Sequence, residues 1–234
     1  MRRRRAWFKA GVIGSGGVLL AGCSGPLSTV DPAGPSAEAI ASLWWAMLIG
    51  STLLFCLVMA LLLWVFIKPA SDRSASPKLW LVGGGLVLPA LVLTPLLGYG
   101  FYIGEKLLAH PRADAPVRID VLVRQWEWTF RYPGPDGTRV SVNELHLPVG
   151  CAADLHVTTA DVIHGFWIPR LGGKVDAIPG HTNVVRLSAS QPGRYRGVCA
   201  EFCGTGHTVM DFAVQAHDGD AFEARLDKLP KDTP

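Results

Sequence analysis

Two apolar runs of 25 residues each, Leu43 to Ile67 and Leu79 to Ile103, contain no charged side chain, and nothing else in the sequence restricts its fold as strongly. A helix rises about 1.5 Å per residue and needs roughly 20 apolar residues to cross about 30 Å of hydrocarbon. Each run is therefore long enough to span a bilayer, and together they predict a transmembrane helical hairpin over residues 43–103. The segment between them holds Lys68, Arg73 and Lys78 against one acid, Asp72. An excess of basic residues in a short loop marks the cytoplasmic side, which turns both chain ends outward. Trp44, Trp45, Trp64, Trp80, Tyr99 and Tyr102 lie near the ends of the runs, where amphipathic rings settle at the membrane–water interface. Two buried helices of a large soluble core would not account for these flanks.

Upstream, Arg2, Arg3, Arg4, Arg5 and Lys9 precede a glycine-rich apolar run from Ala10 to Leu20. That run is too short to span as a mature helix and has the form of an export signal. Leu20-Ala21-Gly22-Cys23 resembles a lipobox, which predicts a signal peptide over 1–22 and a lipid on Cys23. Arg4-Arg5-Ala6-Trp7-Phe8-Lys9 has a faint twin-arginine likeness without the serine or threonine usual before the pair. Residues 23–42 read as a polar tether. Charge is unevenly placed: residues 1–110 carry nine Lys/Arg against four Asp/Glu, and 111–234 carry thirteen against fifteen. Removing the signal takes the formal net charge from +3 to −2. A nucleic-acid surface needs basic residues clustered on a folded domain, and here they cluster in the leader, so no nucleic-acid partner is expected.

After a linker over 104–115 the pattern changes to short alternating segments separated by turn residues, the signature of a β domain. Val117 to Val123 alternates, the alternation continues through Trp126, Trp128 and Phe130, and it ends at Pro133-Gly134-Pro135-Asp136-Gly137, a strong turn signal. By period-two geometry Trp126 and Trp128 share one strand face and read as core aromatics. Further strands are expected at Leu155–Thr159, Val184–Leu187, Tyr195–Val198 and Phe212–Gln215. A chain of this length can bury a sandwich core without disulfides. The domain is placed at 116–222, with a C-terminal tail over 223–234. No internal repeat or phosphate-binding glycine loop occurs.

The chemistry concentrates in Cys199-Ala200-Glu201-Phe202-Cys203-Gly204-Thr205-Gly206-His207-Thr208-Val209-Met210. Thiolate, imidazole and thioether together suit copper, and a Cys–His–Met loop leaving a sandwich strand is how blue-copper folds close around their metal. One more histidine is needed from elsewhere, and His164, beyond the strand at Leu155–Thr159, is well placed. Two cysteines four residues apart permit two thiolates to bridge two coppers. The competing readings are a disulfide, since an exported domain meets an oxidising compartment, and a zinc site of two cysteines and two histidines. His207 and Met210 have no role in the first, and Met210 none in the second. His110, His146, His156, His181 and His217 read as surface residues or as residues behind the ligands; Cys56 reads as membrane packing and Cys151 as space-filling.

In their order these residues resemble subunit II of the haem-copper cytochrome c oxidases, over roughly 43–215. The likeness rests on Gln125-Trp126-Glu127-Trp128, Asn143 to Gly150, Asp161-Val162-Ile163-His164 with Phe166-Trp167, Asp176 to Gly180, and the Cys199–Met210 loop. It implies a membrane-anchored all-β fold, a cupredoxin-like Greek-key β-sandwich held on the outer face by the hairpin. It further implies a dinuclear copper A centre in which Cys199 and Cys203 bridge two copper ions. His164 with Met210 would complete one copper, and His207 with the backbone carbonyl of Glu201 the other. By the same resemblance the Glu201 side chain meets a magnesium ion shared with subunit I, and Trp126 receives the electron from cytochrome c. Subunits I and III would be partners, haems would lie only in the partner subunit, and the chain would be a multi-pass protein of the bacterial inner membrane in a lipoprotein form, its copper domain periplasmic.

Two departures shape these expectations. The family usually carries a glutamate near the start of the second membrane helix, but Leu81-Val82-Gly83-Gly84-Gly85 stands here, so no proton-uptake role is assigned. Phe166 to Gly173 also resembles quinol oxidase subunit II, which has lost the copper ligands; all of them are present in this chain. No Cys-x₂-Cys-His occurs, so no c-type haem attachment is expected. A membrane-anchored copper carrier would have no need of a second bridging cysteine, and a nitrous oxide reductase module would need a large additional domain.

Overall fold

The computed structural model describes residues 23–68, 76–110 and 116–232. The predicted signal peptide over 1–22, most of the basic loop including Asp72 and Arg73, and residues 111–115 of the linker lie outside the described residues. The chain forms two compact units: Ala39–Leu108, and the described residues up to Glu38 together with those from Ala109 onward.

The first unit contains two long helices. Helix α1 spans Pro35–Ile67 and α2 spans Leu79–Leu107. α1 begins well before the uncharged run because Pro35 suits a first helical position and Glu38 complements the helix dipole in the first turn. The expected tether over 23–42 is thus helical in its second part. α2 opens with a π-helical stretch, Leu79–Val87, in which the Leu88 N–H reaches back to the Gly83 carbonyl, and continues as an α-helix over Leu88–Leu107. The Ser42 hydroxyl lies 3.0 Å from the Tyr99 hydroxyl, joining the start of α1 to the later part of α2, so the helices run antiparallel as a hairpin. Their apolar side chains face outward: Phe66 is 79% exposed and Phe101 71%. A soluble core helix would bury these rings, whereas a bilayer covers them.

The second unit is a two-layer sandwich of ten strands. They are β1 (Val117–Arg124), β2 (Glu127–Tyr132), β3 (Arg139–Val142), β4 (Glu144–Pro148), β5 (Ala153–Thr159), β6 (His164–Trp167), β7 (Val175–Ala177), β8 (Asn183–Leu187), β9 (Gly193–Cys199) and β10 (Asp211–His217). One sheet has the order β3-β2-β1-β5-β8 and the other β4-β10-β9-β6-β7, the cupredoxin-like arrangement. Alternation in β1 and β5 sends Ile119, Val121, Val123, Leu155 and Val157 inward to full burial. Between the layers Trp128, Phe130, Phe166 and Phe212 form an aromatic stack, with Phe166 and Phe212 nearly parallel at 5.2 Å between centroids. Gly197 on β9 is required by this stack, because a β-carbon there would collide with the Phe212 ring.

Three sequence expectations change. The single alternating run from Val117 to Phe130 is two strands: β1 and β2 pair antiparallel with Arg124 opposite Glu127, leaving Gln125 and Trp126 in the turn. Trp128 is fully buried while Trp126 is 41% exposed, so the two rings do not share an environment. No glycine or proline at 125–126 announced that turn. The segment before α1 does not hang free either. The Ala33 N–H donates to the Arg170 carbonyl at 2.7 Å, the Ser190 N–H donates to the Ala33 carbonyl at 2.8 Å, and Arg170 pairs with Asp31 at 3.1 Å. Nor does the expected tail begin at 223, because helix α3 (Gly219–Leu226) packs onto the sandwich, burying Phe222, and Leu229 joins the core.

Buried polar groups cluster where α3 meets β4 and β10. The Arg225 Nε donates to His146 Nε2 at 3.3 Å, and His146 Nδ1 lies 3.0 Å from His217 Nε2. Since arginine only donates, His146 carries its proton on Nδ1 and passes the hydrogen bond on to His217. Arg225 also bonds Glu144, and the His146 backbone N–H donates to the Tyr132 hydroxyl at 2.8 Å. His146 is 0% exposed, so of its two expected places, at the surface or behind the ligands, the surface is excluded. Burial pushes its pKa down to about 4, with Arg225 and His217 adding to the effect against Glu144.

Candidate metal centre

The centre forms at one end of the second sheet, where three strands begin or finish. β6 starts with His164, β9 ends with Cys199, and β10 starts just after Met210. Phe166 pairs with Cys199 across β6 and β9, the Ala200 N–H donates to the Gly165 carbonyl at 2.8 Å, and the Cys199 N–H donates to the Met210 carbonyl at 3.2 Å. Gly165 allows this approach: a β-carbon there would lie 2.8 Å from the Ala200 carbonyl carbon. Between β9 and β10 the loop turns at Gly204, whose φ of +111° favours glycine, and tightens into a 3₁₀ turn, His207–Val209.

The fold brings every expected ligand together. Cys199 Sγ lies 3.8 Å from Cys203 Sγ and 3.9 Å from His164 Nδ1. Cys203 Sγ lies 3.7 Å from both His207 Nδ1 and Met210 Sδ, and the Cys199 thiol is 3.2 Å from the Glu201 carbonyl oxygen. Both cysteines are free thiols, against the disulfide alternative. A metal held about 2.3 Å from two sulfurs at a tetrahedral angle separates them by about 3.8 Å, so the spacing fits sulfurs that share a metal. His164, Cys199, Cys203 and Met210 are all buried. A zinc site would leave the buried thioether of Met210 unused, whereas copper takes the whole soft and borderline set.

Neighbouring groups prepare the ligands. Asp161 Oδ1 accepts from His164 Nε2 at 2.9 Å, which leaves the Nδ1 lone pair for a metal. Burial alone would raise the Asp161 carboxyl, but hydrogen bonds from the Gln125 N–H, His164, the Val162 N–H and Thr159 outweigh it and hold the pKa down to about 2. Burial first, then the neighbouring Cys199 and Asp161, push the Cys203 thiol up to about 11, so a bound cation must displace protons from the metal-free site. Asp161 belongs to the quoted Asp161–His164 motif, yet its spacing alone gave it no role. The carboxylate expected to meet magnesium, Glu201, pairs with Lys174 at 2.6 Å, and the same ammonium bonds Asp176 at 2.7 Å.

Trp126 lies against this loop. Its indole N–H donates to the Cys203 carbonyl at 3.2 Å, and Gln125 Nε2 donates to the same oxygen at 2.9 Å. On the same loop two apolar side chains face solvent, Phe202 at 81% and Val209 at 76% exposed. Cys23 and Cys56 are exposed, and so is Cys151, which therefore fills no space in the core.

The family described as cytochrome c oxidase subunit II, periplasmic domain, matches residues 136–217, a span that holds all six expected copper ligands. Over 231 residues the chain is 31% identical to ubiquinol oxidase subunit 2 of Acetobacter aceti, covering 92% of this chain and 73% of that one. The chain belongs to the cytochrome c oxidase subunit II family. It is also 31% identical to cytochrome c oxidase subunit 2 of Alkalihalophilus pseudofirmus, over 91% of this chain but 65% of that one, so it spans a little under two thirds of that relative. Relatives of this subunit II chain thus include both cytochrome c and quinol oxidase subunits. The crystal structure of the periplasmic domain of subunit II of cytochrome oxidase from Bradyrhizobium japonicum is 31% identical with a TM-score of 0.47, covering 51% of this chain and 95% of that one.

Proposed function

We propose that the chain is the electron-accepting subunit of a respiratory oxidase, taking electrons from cytochrome c and handing them to the haem-bearing subunit I, where oxygen is reduced to water with proton translocation. The observation that carries this reading is the convergence of Cys199, Cys203, His164, His207, Met210 and the Glu201 carbonyl on one buried position. Two copper ions bound there would supply reversible one-electron chemistry. Cys199 and Cys203 would bridge them, His164 and Met210 would hold one, and His207 and the Glu201 carbonyl the other. The protein limits rearrangement on reduction by burying His164, Cys199, Cys203 and Met210 and by fixing His164 through Asp161. Trp126 has one face accessible to a docking protein and its N–H on a ligand residue, so it is the point at which the electron arrives.

The remaining assignments follow from that reading. Glu201 and Asp176 offer hard oxygens suited to magnesium, with Lys174 released from between them and further ligands supplied by subunit I. Cys23 would carry the lipid, the helices α1 and α2 would cross the bacterial inner membrane beside subunits I and III, and the copper domain would lie on the periplasmic side. Relatives named quinol oxidase subunits favour a second reading, direct oxidation of a quinol by the complex. The two separate in stopped-flow reduction of the assembled oxidase. Reduced cytochrome c should reduce the copper-loaded centre, and Trp126→Ala should slow that step about tenfold or more while leaving the visible spectrum intact. Reduction by quinol alone, with cytochrome c inert, would overturn the proposal; an unchanged rate in Trp126→Ala would overturn the role of that residue.

A further inference from the structure

Gly206 is a glycine whose backbone has no need of one. Its φ of −88° and ψ of 3° lie in a region that other residues adopt, unlike those of Gly204 two positions earlier. What a side chain at Gly206 would meet is the indole of Trp126. An added β-carbon would stand 2.8 Å from Cε3 and closer still to Cγ and Cδ2. At Gly204 the same addition would come within 3.2 Å of Cζ2 and 3.1 Å of Gln125 Nε2. The ring therefore lies flat on the bare backbone of the metal loop, and its N–H is tied to the Cys203 carbonyl. Gly206 directly precedes His207, so the surface on which the ring rests is the peptide leading into a metal ligand.

We propose that Gly206 is a positioning residue for Trp126: its missing side chain opens the seat that holds the indole in van der Waals contact with the metal loop and sets the path from the surface to the centre. This rests on the reading of Trp126 as the residue that receives the electron. Gln125 completes the seat from the other side, because its amide donates to the same carbonyl as the indole. Any side chain at Gly206 must lift the ring, break the hydrogen bond to Cys203 and lengthen the path, while none of the metal ligands is replaced.

The test uses Gly206→Val and the milder Gly206→Ala, with Trp126→Ala and the double variant Gly206→Val/Trp126→Ala as references. In the metal-free chain in detergent, labelled with ¹⁵N-tryptophan and assigned with Trp126→Phe, the Trp126 indole N–H should exchange with solvent about tenfold or more faster in both glycine variants. In the assembled copper-loaded oxidase, Gly206→Val should slow reduction by cytochrome c about as much as Trp126→Ala does, with the affinity for cytochrome c and the copper spectrum unchanged. The double variant should be no slower than Trp126→Ala alone, since residues that act through one another do not add. Unchanged indole exchange in both glycine variants, or a slow Trp126→Ala beside a Gly206→Val of normal rate, overturns this proposal and leaves the role of Trp126 standing. An altered copper spectrum in both glycine variants also overturns it, because Gly206 would then serve the metal loop itself. A normal rate in Trp126→Ala overturns both.

Discussion

Replacing Cys203 with serine should abolish the dinuclear centre. Cys203 Sγ is the hub of the cluster, 3.8 Å from Cys199 Sγ and 3.7 Å from both His207 Nδ1 and Met210 Sδ. A serine hydroxyl occupies nearly the same volume but stays protonated and is a hard donor, so it does not share two soft metals. Copper bound by the purified chain, counted by elemental analysis, should fall from two ions to one or none, with loss of the intense visible bands of thiolate-bound copper. The far-ultraviolet circular dichroism of the metal-free variant should match that of the parent, because serine nearly fills the volume that Cys203 occupies at the edge of the core. Retention of two coppers with an unchanged spectrum would remove Cys203 from the bridge.

The second large effect concerns acid. His146 is buried and neutral, with its pKa lowered from 6.5 to about 4. Between those values the unfolded chain binds a proton that the folded chain does not, so stability falls as pH drops through that window. Above about pH 6.5 neither state is protonated and nothing is lost. Integrated over the window this one group costs up to about 3 kcal/mol at its acid end, and burial also lowers the pKa of His217 beside it. Urea unfolding of the metal-free chain in detergent, followed by near-ultraviolet circular dichroism, should show a midpoint that declines from pH 7 to pH 4.5. His146→Gln, whose amide oxygen can still accept from Arg225 but which has no donor in the place of Nδ1, should start from a lower midpoint for loss of the His217 contact and decline less steeply. An equal slope in parent and variant would assign the acid sensitivity to other groups.

How much of this was legible in the sequence depends on the range of the interactions. The Cys199–Met210 loop carries five of its ligands within one short segment, and residue type alone announced soft-metal chemistry. The strands at β5, β9 and β10 were visible because one face of each is buried and the alternation survives. The turn at Gln125–Trp126 was not, since nothing in its composition breaks the strand pattern, and with it went the different fates of Trp126 and Trp128. Asp161 on His164, Lys174 between Glu201 and Asp176, and His146 beneath Arg225 depend on where loops and sheets meet. The docking of Ala33 between Arg170 and Ser190 leaves no periodic trace at all, because backbone groups make it.

The central claim is that this chain builds a dinuclear copper centre from its own residues. Low-temperature electron paramagnetic resonance of the copper-loaded chain, oxidised to the one-electron mixed-valence state, tests it most directly. One unpaired electron shared equally over two copper nuclei joined by Cys199 and Cys203 gives a seven-line hyperfine pattern. A four-line pattern from a single copper, or no bound copper at all, would contradict the account.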